Sequence, residues 1–509
     1  MKTLAPSQSD ALIAEHARGY LEQVVAIESS SDEDSSSIPS TEGQATLARH
    51  VGAFFEAWGA SVEQDDNANV IASFAGRGRL ADAEPLALMV HLDTAKGTEP
   101  AAALELAASW DGSALTWPGN PNITVDVATY PSLAAFVGHG VLHASGAAPF
   151  GLDDKLGLTH MMTLAWLLHS NPDIPHPPLL LIGRPDEEIG RMEALHGLAA
   201  MLAERGVRSG YTVDGIEPFE VNVENFNAAG ASVLFPTEEV DLAGRELVAV
   251  RLSGVNTHGA TAYAEGHRAA TRLAAELASI VTPVAKVVGF KSDPHRDCDA
   301  DVVFASWDHG DLFAALEHVV ADHRPRGAGW EEIPVPAGFV ADGAAERMLR
   351  WVAEFLASAP GFTLLAEDSY GHDGYSHPYR AFPMEQGVRL DVRLRDFAEQ
   401  GLRDRIAHVQ GLAGNACSVT HQYVNMGPRL VDRPELVRWA KAAGLAISQE
   451  VPVLPIRGGT GVDPFLDAGV AVANLGTGYF APESEKELTS MEMLAGHARW
   501  LVALVQQVG

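Results

Sequence analysis

The sequence predicts an α/β protein, a mostly parallel mixed sheet flanked by helices, with a smaller α+β domain set into the chain. Three observations carry this. Short strand-like runs (Leu86–Val90, Leu179–Ile182, Tyr211–Val213, Val470–Leu475) alternate with stretches of helical periodicity. Acids or a histidine end several of those runs, at the edge where open α/β sheets bind ligands. From about residue 234 the pattern changes, and Val388, Leu390, Val392 and Leu394 alternate as in a half-buried strand.

The elements follow in order. Leu12, Ile13, Tyr20, Leu21, Val24 and Val25 predict a helix over 8–27. The Ser/Asp/Glu run Glu28–Ser37 is too polar to pack and is expected to be a mobile loop. Thr41 and Gln44 have capping-box spacing at the start of a helix whose stripe is Leu47, Val51, Phe54, Phe55 and Trp58, ended by Gly59. The strand Leu86–Val90 delivers His91-Leu92-Asp93. Residues 94–150 read as irregular, and Gly151-Leu152-Asp153-Asp154-Lys155 leads into a helix to Leu168. The strand Leu179–Ile182 is stopped by Pro185, which leaves Glu187 and Glu188 at its C-terminal end. A helix over Met192–Arg205 and a strand over Tyr211–Gly215 follow, the latter bearing Asp214. Further on come a strand at Leu247–Leu252, a loop holding His258, a helix over Glu265–Ile280 and strands at Gly387–Arg395 and Ser418–Val424. The α/β pattern then returns, with the turn Leu454–Thr460, the strand Val470–Leu475 and a closing helix Met491–Val508. The domains expected are therefore 1–233 and 425–509 as two parts of one α/β domain, and 234–424 as the smaller one. Within the latter, 283–365 has its own helices, Leu312–Ala321 and Ala344–Ala357, and looks inserted.

A chain of 509 residues can bury a sizeable core. Its 35 basic against 67 acidic residues give a net charge of −32, which argues against a nucleic-acid partner and suits cation binding in acidic clefts. Two cysteines, Cys298 and Cys417, make no disulfide framework and fit a reducing, cytoplasmic setting. The first ten residues lack a signal pattern, and no apolar run is long enough for a bilayer, so no membrane association is expected.

The acids at the element ends suggest a metal site. His91, Asp153, Glu187, Glu188 and Asp214 offer imidazole nitrogen and carboxylate oxygen, a set that suits zinc, manganese or cobalt. Asp93, two residues past His91, is placed to accept the His91 ring N–H and fix its tautomer. Two adjacent carboxylates on a loop point apart, so one can hold a metal while the other moves a proton.

These motifs, His91-Leu92-Asp93, Gly151–Lys155, Pro185–Gly190 and Tyr211–Gly215, together resemble the cocatalytic-zinc aminopeptidase and carboxypeptidase family in its tripeptidase, peptidase T-like branch. Pro39–Gln44, Glu224–Ala229, Arg395-Asp396-Phe397 and Pro455–Thr460 echo it further, in order along most of the chain except 283–365. The resemblance implies a zinc-exopeptidase-like catalytic domain with a lid or dimerisation-type domain. It also implies His91 and Asp214 on one metal, Asp153 bridging, and Glu188 on a second. Glu187 becomes the general base, His258 the oxyanion donor, and Arg395, Arg457 and Asn227 the substrate-binding residues. A small-molecule or short-peptide substrate and a homodimer come with it.

One position departs from the family. Where its second metal takes a last histidine, the segment Glu483–Thr489 is read as placing Lys486. A protonated lysine cannot ligate, so of one or two divalent ions, zinc or manganese, one is favoured, with Lys486 as an internal cation; alternatively His372 or His377 supplies the missing ligand. The default function is an aminopeptidase or tripeptidase. A single-metal amidohydrolase or aminohydrolase of another C–N bond is the alternative, and a non-catalytic small-molecule binder a third.

Overall fold

The computed structural model describes all residues except 1, 6, 243, 282–283, 359–370 and 509. Residues 283 and 359–365 of the segment expected to be inserted thus lie outside the described residues. The chain forms two compact units. One comprises Met1–Asn120, Asp126–Asn225 and Met426–Gly509, the other Pro121–Val125 and Phe226–Asn425.

The first unit is built on a seven-stranded sheet. Its order is Ser61–Gln64, Val70–Phe74, Leu179–Arg184, Leu86–His91, Ser209–Gly215, Ala471–Gly476, Val221–Asn222. The strands from Leu179–Arg184 to Ala471–Gly476 run parallel, and the flanking pairings are antiparallel. Leu86–His91 and Leu179–Arg184 are buried along their whole length, which explains their near-continuous apolar composition. Helices Asp10–Val25, Leu152–Ser170 and Met491–Leu504 pack together. In the first, Ser9 caps the Leu12 amide, and Ile13, Ala17, Leu21 and Val24 line the buried face. Leu152–Ser170 is buried almost throughout, so its composition is apolar on every side. Gly157 lets this helix approach the Ser209–Gly215 strand, since a Cβ there would overlap the Val213 carbonyl and the Asp154 carboxylate.

The second unit holds two antiparallel four-stranded sheets. One runs Ala285–Ser292, Ala300–Ser306, Glu246–Ser253, Gly329–Ile333, and the other Tyr375–Met384, Gly387–Asp396, Asn227–Pro236, Cys417–Tyr423. Helices Ala270–Val281, Ala344–Ala357 and Glu399–Ala413 share a core with them, through Leu273, Leu277, Met348, Phe355 and Leu402.

Several expectations change. The boundary falls at Asn225 rather than 233, because the Asn227–Pro236 strand sits inside a second-unit sheet. The segment 283–365, expected as an insertion, supplies three of the four strands of one sheet, the fourth being Glu246–Ser253. The helix expected over 265–280 is two, Ala262–Glu265 and Ala270–Val281, separated at Gly266 with φ +69°. The Glu28–Ser37 run does pack: Ser29 and Ser31 are buried, and the backbone exchanges hydrogen bonds with Thr94 at both.

Candidate metal centre

The site grows from the carboxyl edge of the first unit's sheet, where parallel strands deliver His91, Arg184 and Asp214 side by side. His91 is buried. Its Nε2 lies 2.9 Å from Asp153 Oδ1 and 3.4 Å from Asp214 Oδ1. Ligand atoms of His91, Asp154 and Asp214 gather within 4.8 Å of one another, and so do those of His91, Asp153 and Glu188. The sequence-predicted His91, Asp93, Asp153, Glu187, Glu188 and Asp214 thus meet in one place, although 123 positions separate the first from the last.

Asp93 takes a second role beside the one expected. The His91 Nδ1 contact at 2.9 Å is the Asp93 backbone carbonyl, with the Asp93 carboxylate at 3.5 Å. That carboxylate accepts the Glu187 and Glu188 amides at 2.9 and 3.0 Å. A turn with free N–H groups beside a buried carboxylate leaves the acid better satisfied there than on the ring. The turn is also held at Asp186, whose φ is +56°. Its buried carboxylate accepts from the Ser40 amide and hydroxyl and from Gln44 Nε2, and Gln44 Oε1 accepts the Asp186 amide. Gln44 therefore acts mainly as a tertiary anchor rather than in a capping box, although Nε2 still lies 3.3 Å from Thr41 Oγ1.

The loop before the Leu152–Ser170 helix is fixed from the C-terminal segment. Glu487 Oε2 accepts the Phe150, Gly151 and Leu152 amides at 3.0–3.3 Å, and the Tyr479 hydroxyl donates to Asp153 Oδ2 at 3.0 Å. Asp154 Oδ2 accepts the His91 amide. Sequence reasoning assigns no role to Asp154, Tyr479, Glu487, Ser40 or Gln44, although Asp154, Ser40, Gln44 and Glu487 lie inside the segments Gly151–Lys155, Pro39–Gln44 and Glu483–Thr489 that it singles out.

The electrostatics ask for a cation. Burial raises Glu187 and pushes Asp154 and Glu188 well above the carboxylate range, with neighbouring carboxylates adding to it, and Asp214 rises to about 7. Burial lowers the His91 imidazole, but Asp214, Asp153 and Asp93 outweigh it and hold it well above its usual value. Glu188 Oε1 is buried with no hydrogen-bond partner. One imidazole among this many carboxylates, with an orphaned oxygen, is a donor set that fits a divalent ion.

The remaining expected residues are divided between the two units. Lys486 is fully buried, with its ammonium 4.0 Å from Glu485. After burial, the charge that most raises Glu188 is that of Glu483, so the acidic character of this segment reaches the site through Glu483. Arg457 lies in the first unit, half-buried, in the turn after Ile456, whose amide donates to the Glu224 carbonyl. His258, Asn227, Arg395, His372 and His377 belong to the second unit. There the Asn227 amide bonds the Phe397 carbonyl and the Asn425 amide, tying strand ends together. Arg395 Nη1 bonds the Ala229 and Leu394 carbonyls, and His377 Nε2 lies 3.0 Å from His267 Nε2.

A helix-flanked, mainly parallel sheet whose carboxyl edge gathers a histidine and acids with their ligand atoms within 4.8 Å defines an α/β protein with a candidate divalent-metal site. The comparisons narrow that class. No protein-family model matches the chain. Curated peptidase T proteins do: that of Bacillus cereus (strain Q1) is 32% identical over 261 residues, 50% of this chain and 57% of its own length. That of Bacillus thuringiensis (strain Al Hakam) is 32% identical over 259 residues, with the same shares. The chain is thus similar to peptidase T over about half of its own length, and the match spans little more than half the length of these relatives. Among solved structures, it shares the fold of the aminopeptidase PepT from Bacillus cereus, with a TM-score of 0.51 at 15% identity over 97% of this chain and 98% of that one. The aminoacylhistidine dipeptidase from Vibrio alginolyticus matches with a TM-score of 0.52 at 15% identity, over 100% and 98% of the two chains.

Proposed function

We propose that the chain is a metal-dependent hydrolase that cleaves the amide bond of small peptides, in the manner of an aminopeptidase or tripeptidase. One observation carries most of the weight. Glu187 stands beside the His91 cluster with its amide anchored on Asp93 and its side chain 15% exposed, so it is fixed yet reachable. Peptidase T relatives favour a peptide over other C–N substrates.

In this reading His91, Asp153 and Asp214, with Glu188, hold one tightly bound zinc or manganese, and Asp154 adds a further oxygen donor. When bound, the ion polarises the scissile carbonyl and makes a water more acidic. The protein's own residues do the rest. Glu187 takes the proton of the attacking water and returns it to the leaving amine. Burial raises the Glu187 pKa, which suits a carboxylate that must both accept and give back a proton. Tyr479 and Glu487 keep the Asp153 loop in place. The resemblance assigns His258 to the oxyanion and Arg395 and Arg457 to the substrate carboxylate, which guanidinium forks grip well. Buried Lys486 adds fixed positive charge to an acidic segment. A cytoplasmic setting and a homodimer belong to the same reading, as does the absence of nucleic-acid or membrane partners. No helix among the described residues is long and apolar enough to cross a membrane.

The test is a panel of tripeptides, N-acyl amino acids and aromatic amines, with manganese or zinc added. Tripeptide turnover is expected, and Glu187→Gln should lower kcat by about 10²–10⁴-fold while ligand affinity stays. Hydrolysis of the N-acyl or arylamine substrates alone would move the assignment to an amidohydrolase. Turnover undiminished in Glu187→Gln would remove the proposed base.

A further inference from the structure

Arg184 is a fully buried arginine with no part in the roles assigned so far. It ends the Leu179–Arg184 strand in register with His91 on the neighbouring strand. Its Nη2 donates to the Thr460 carbonyl at 3.0 Å and lies 4.0 Å from Glu187 Oε1, while Nε and Nη1 have no hydrogen-bond partner. Room for it depends on residue 461 being glycine. A Cβ there would lie 2.5 Å from Nη1, and the backbone φ is +57°. A buried guanidinium with idle donors is destabilising, so its position calls for a reason.

The reason lies in the two adjacent glutamates. A divalent ion in this cluster attracts every carboxylate within reach, and a base that ligates has its lone pair engaged and cannot take a proton. Glu187 and Glu188 are chain neighbours, both amides are held by Asp93, and burial raises both acids. What distinguishes them is the cation alongside. The Arg184 guanidinium stands 4.0 Å from Glu187 Oε1, a charge contact rather than a hydrogen bond, whereas Glu188 Oε1 is buried with no hydrogen-bond partner.

We propose that Arg184 is a positioning residue that retains the Glu187 carboxylate by one oxygen, keeping it from becoming a metal ligand and leaving it free to move a proton. This rests on the metallohydrolase reading above.

The experiment measures Mn²⁺ affinity by calorimetry, with kcat and KM on a tripeptide, for wild type, Arg184→Gln, Glu187→Gln and the double variant. Arg184→Gln should bind Mn²⁺ about tenfold more tightly, lose kcat about a hundredfold and keep KM within about threefold. In the Glu187→Gln background the same change should alter Mn²⁺ affinity by less than about twofold, because the gain runs through Glu187. A merely structural arginine would weaken metal binding when lost. Arg184→Lys keeps the charge but not the planar fork, so it should show both effects in the same direction and at smaller size; it carries the test alone if Arg184→Gln does not fold. Unchanged or weaker Mn²⁺ binding, or a gain that persists without Glu187, overturns the proposal. Wild-type protein that binds Mn²⁺ and turns over while the variants show no gain sinks this inference alone. Wild-type protein that binds no Mn²⁺ removes the metallohydrolase reading and this one with it.

Discussion

At the scale of single residues, the site is held by side chains that never need to touch a substrate. Tyr479 is one. Its phenol is buried, its pKa pushed well above the ordinary value by that burial and by Asp153 and Asp214, and it stays a donor to Asp153 Oδ2. A donor on one oxygen of a ligating carboxylate orients the other oxygen, and losing such a partner typically weakens metal affinity by about 10–100-fold. Tyr479→Phe should therefore bind Mn²⁺ about tenfold more weakly by calorimetry, with little change in thermal midpoint when metal-free. This is the opposite direction to Arg184→Gln, which makes the pair a check on each other. The sequence shows how partial legibility arises here. His91, Glu187, Glu188 and Asp214 could be read because each ends an apolar run. Tyr479 could not, because 326 positions lie between it and Asp153 and only the fold closes that gap.

At the scale of elements, sequence spacing gives the right helix and the wrong partner. Glu42–Ala57 forms where expected, but its Gln44 is spent on Asp186 in the acidic turn. Local capping and a buried tertiary carboxylate compete for the same amide, and the buried group gains more, since leaving it unsatisfied costs about 1–3 kcal/mol. Gln44→Leu should accordingly destabilise the first unit by about that amount in urea unfolding, and kcat should fall more than KM rises, because the turn bearing Glu187 loosens. Gln44→Glu, which sets a second acid against Asp186, should be worse than Leu; if it were neutral, the anchor would be unimportant. The same competition explains the Glu28–Ser37 run. Its polarity suggests a free loop, yet its backbone pairs with Thr94 and buries two serines. The segment 283–365 shows the same limit. Two of its strands pair with Glu246–Ser253, and pairing partners distant in sequence leave no periodic trace.

At the scale of the whole molecule, the acidic cluster is a destabilising feature that a cation relieves, and pH sets by how much. Asp214 illustrates the sign. Its ordinary value, kept in the unfolded chain, is 3.8, and burial raises the folded value to about 7. Between those values the folded chain holds a proton that the unfolded chain has released, so stability falls as pH rises from about 4 to 7. Above 7 the carboxylate is charged in the fold, and the full repulsion from Asp153 and Glu187 remains unless an ion replaces the proton. Asp154, Glu187 and Glu188 shift in the same direction and deepen the effect. Below 7 protons and metal compete for the same oxygens. Metal should therefore stabilise the protein more at pH 8 than at pH 5. At a hundred times its Kd a bound ion contributes about 3 kcal/mol, a shift of several degrees. Scanning calorimetry of chelator-treated protein, with and without Mn²⁺ at the two pH values, gives the comparison. The gap in thermal midpoint should open with rising pH. An equal gap at both would mean that the metal is held by groups other than these buried acids, and a gap wider at pH 5 would contradict the raised carboxylates themselves.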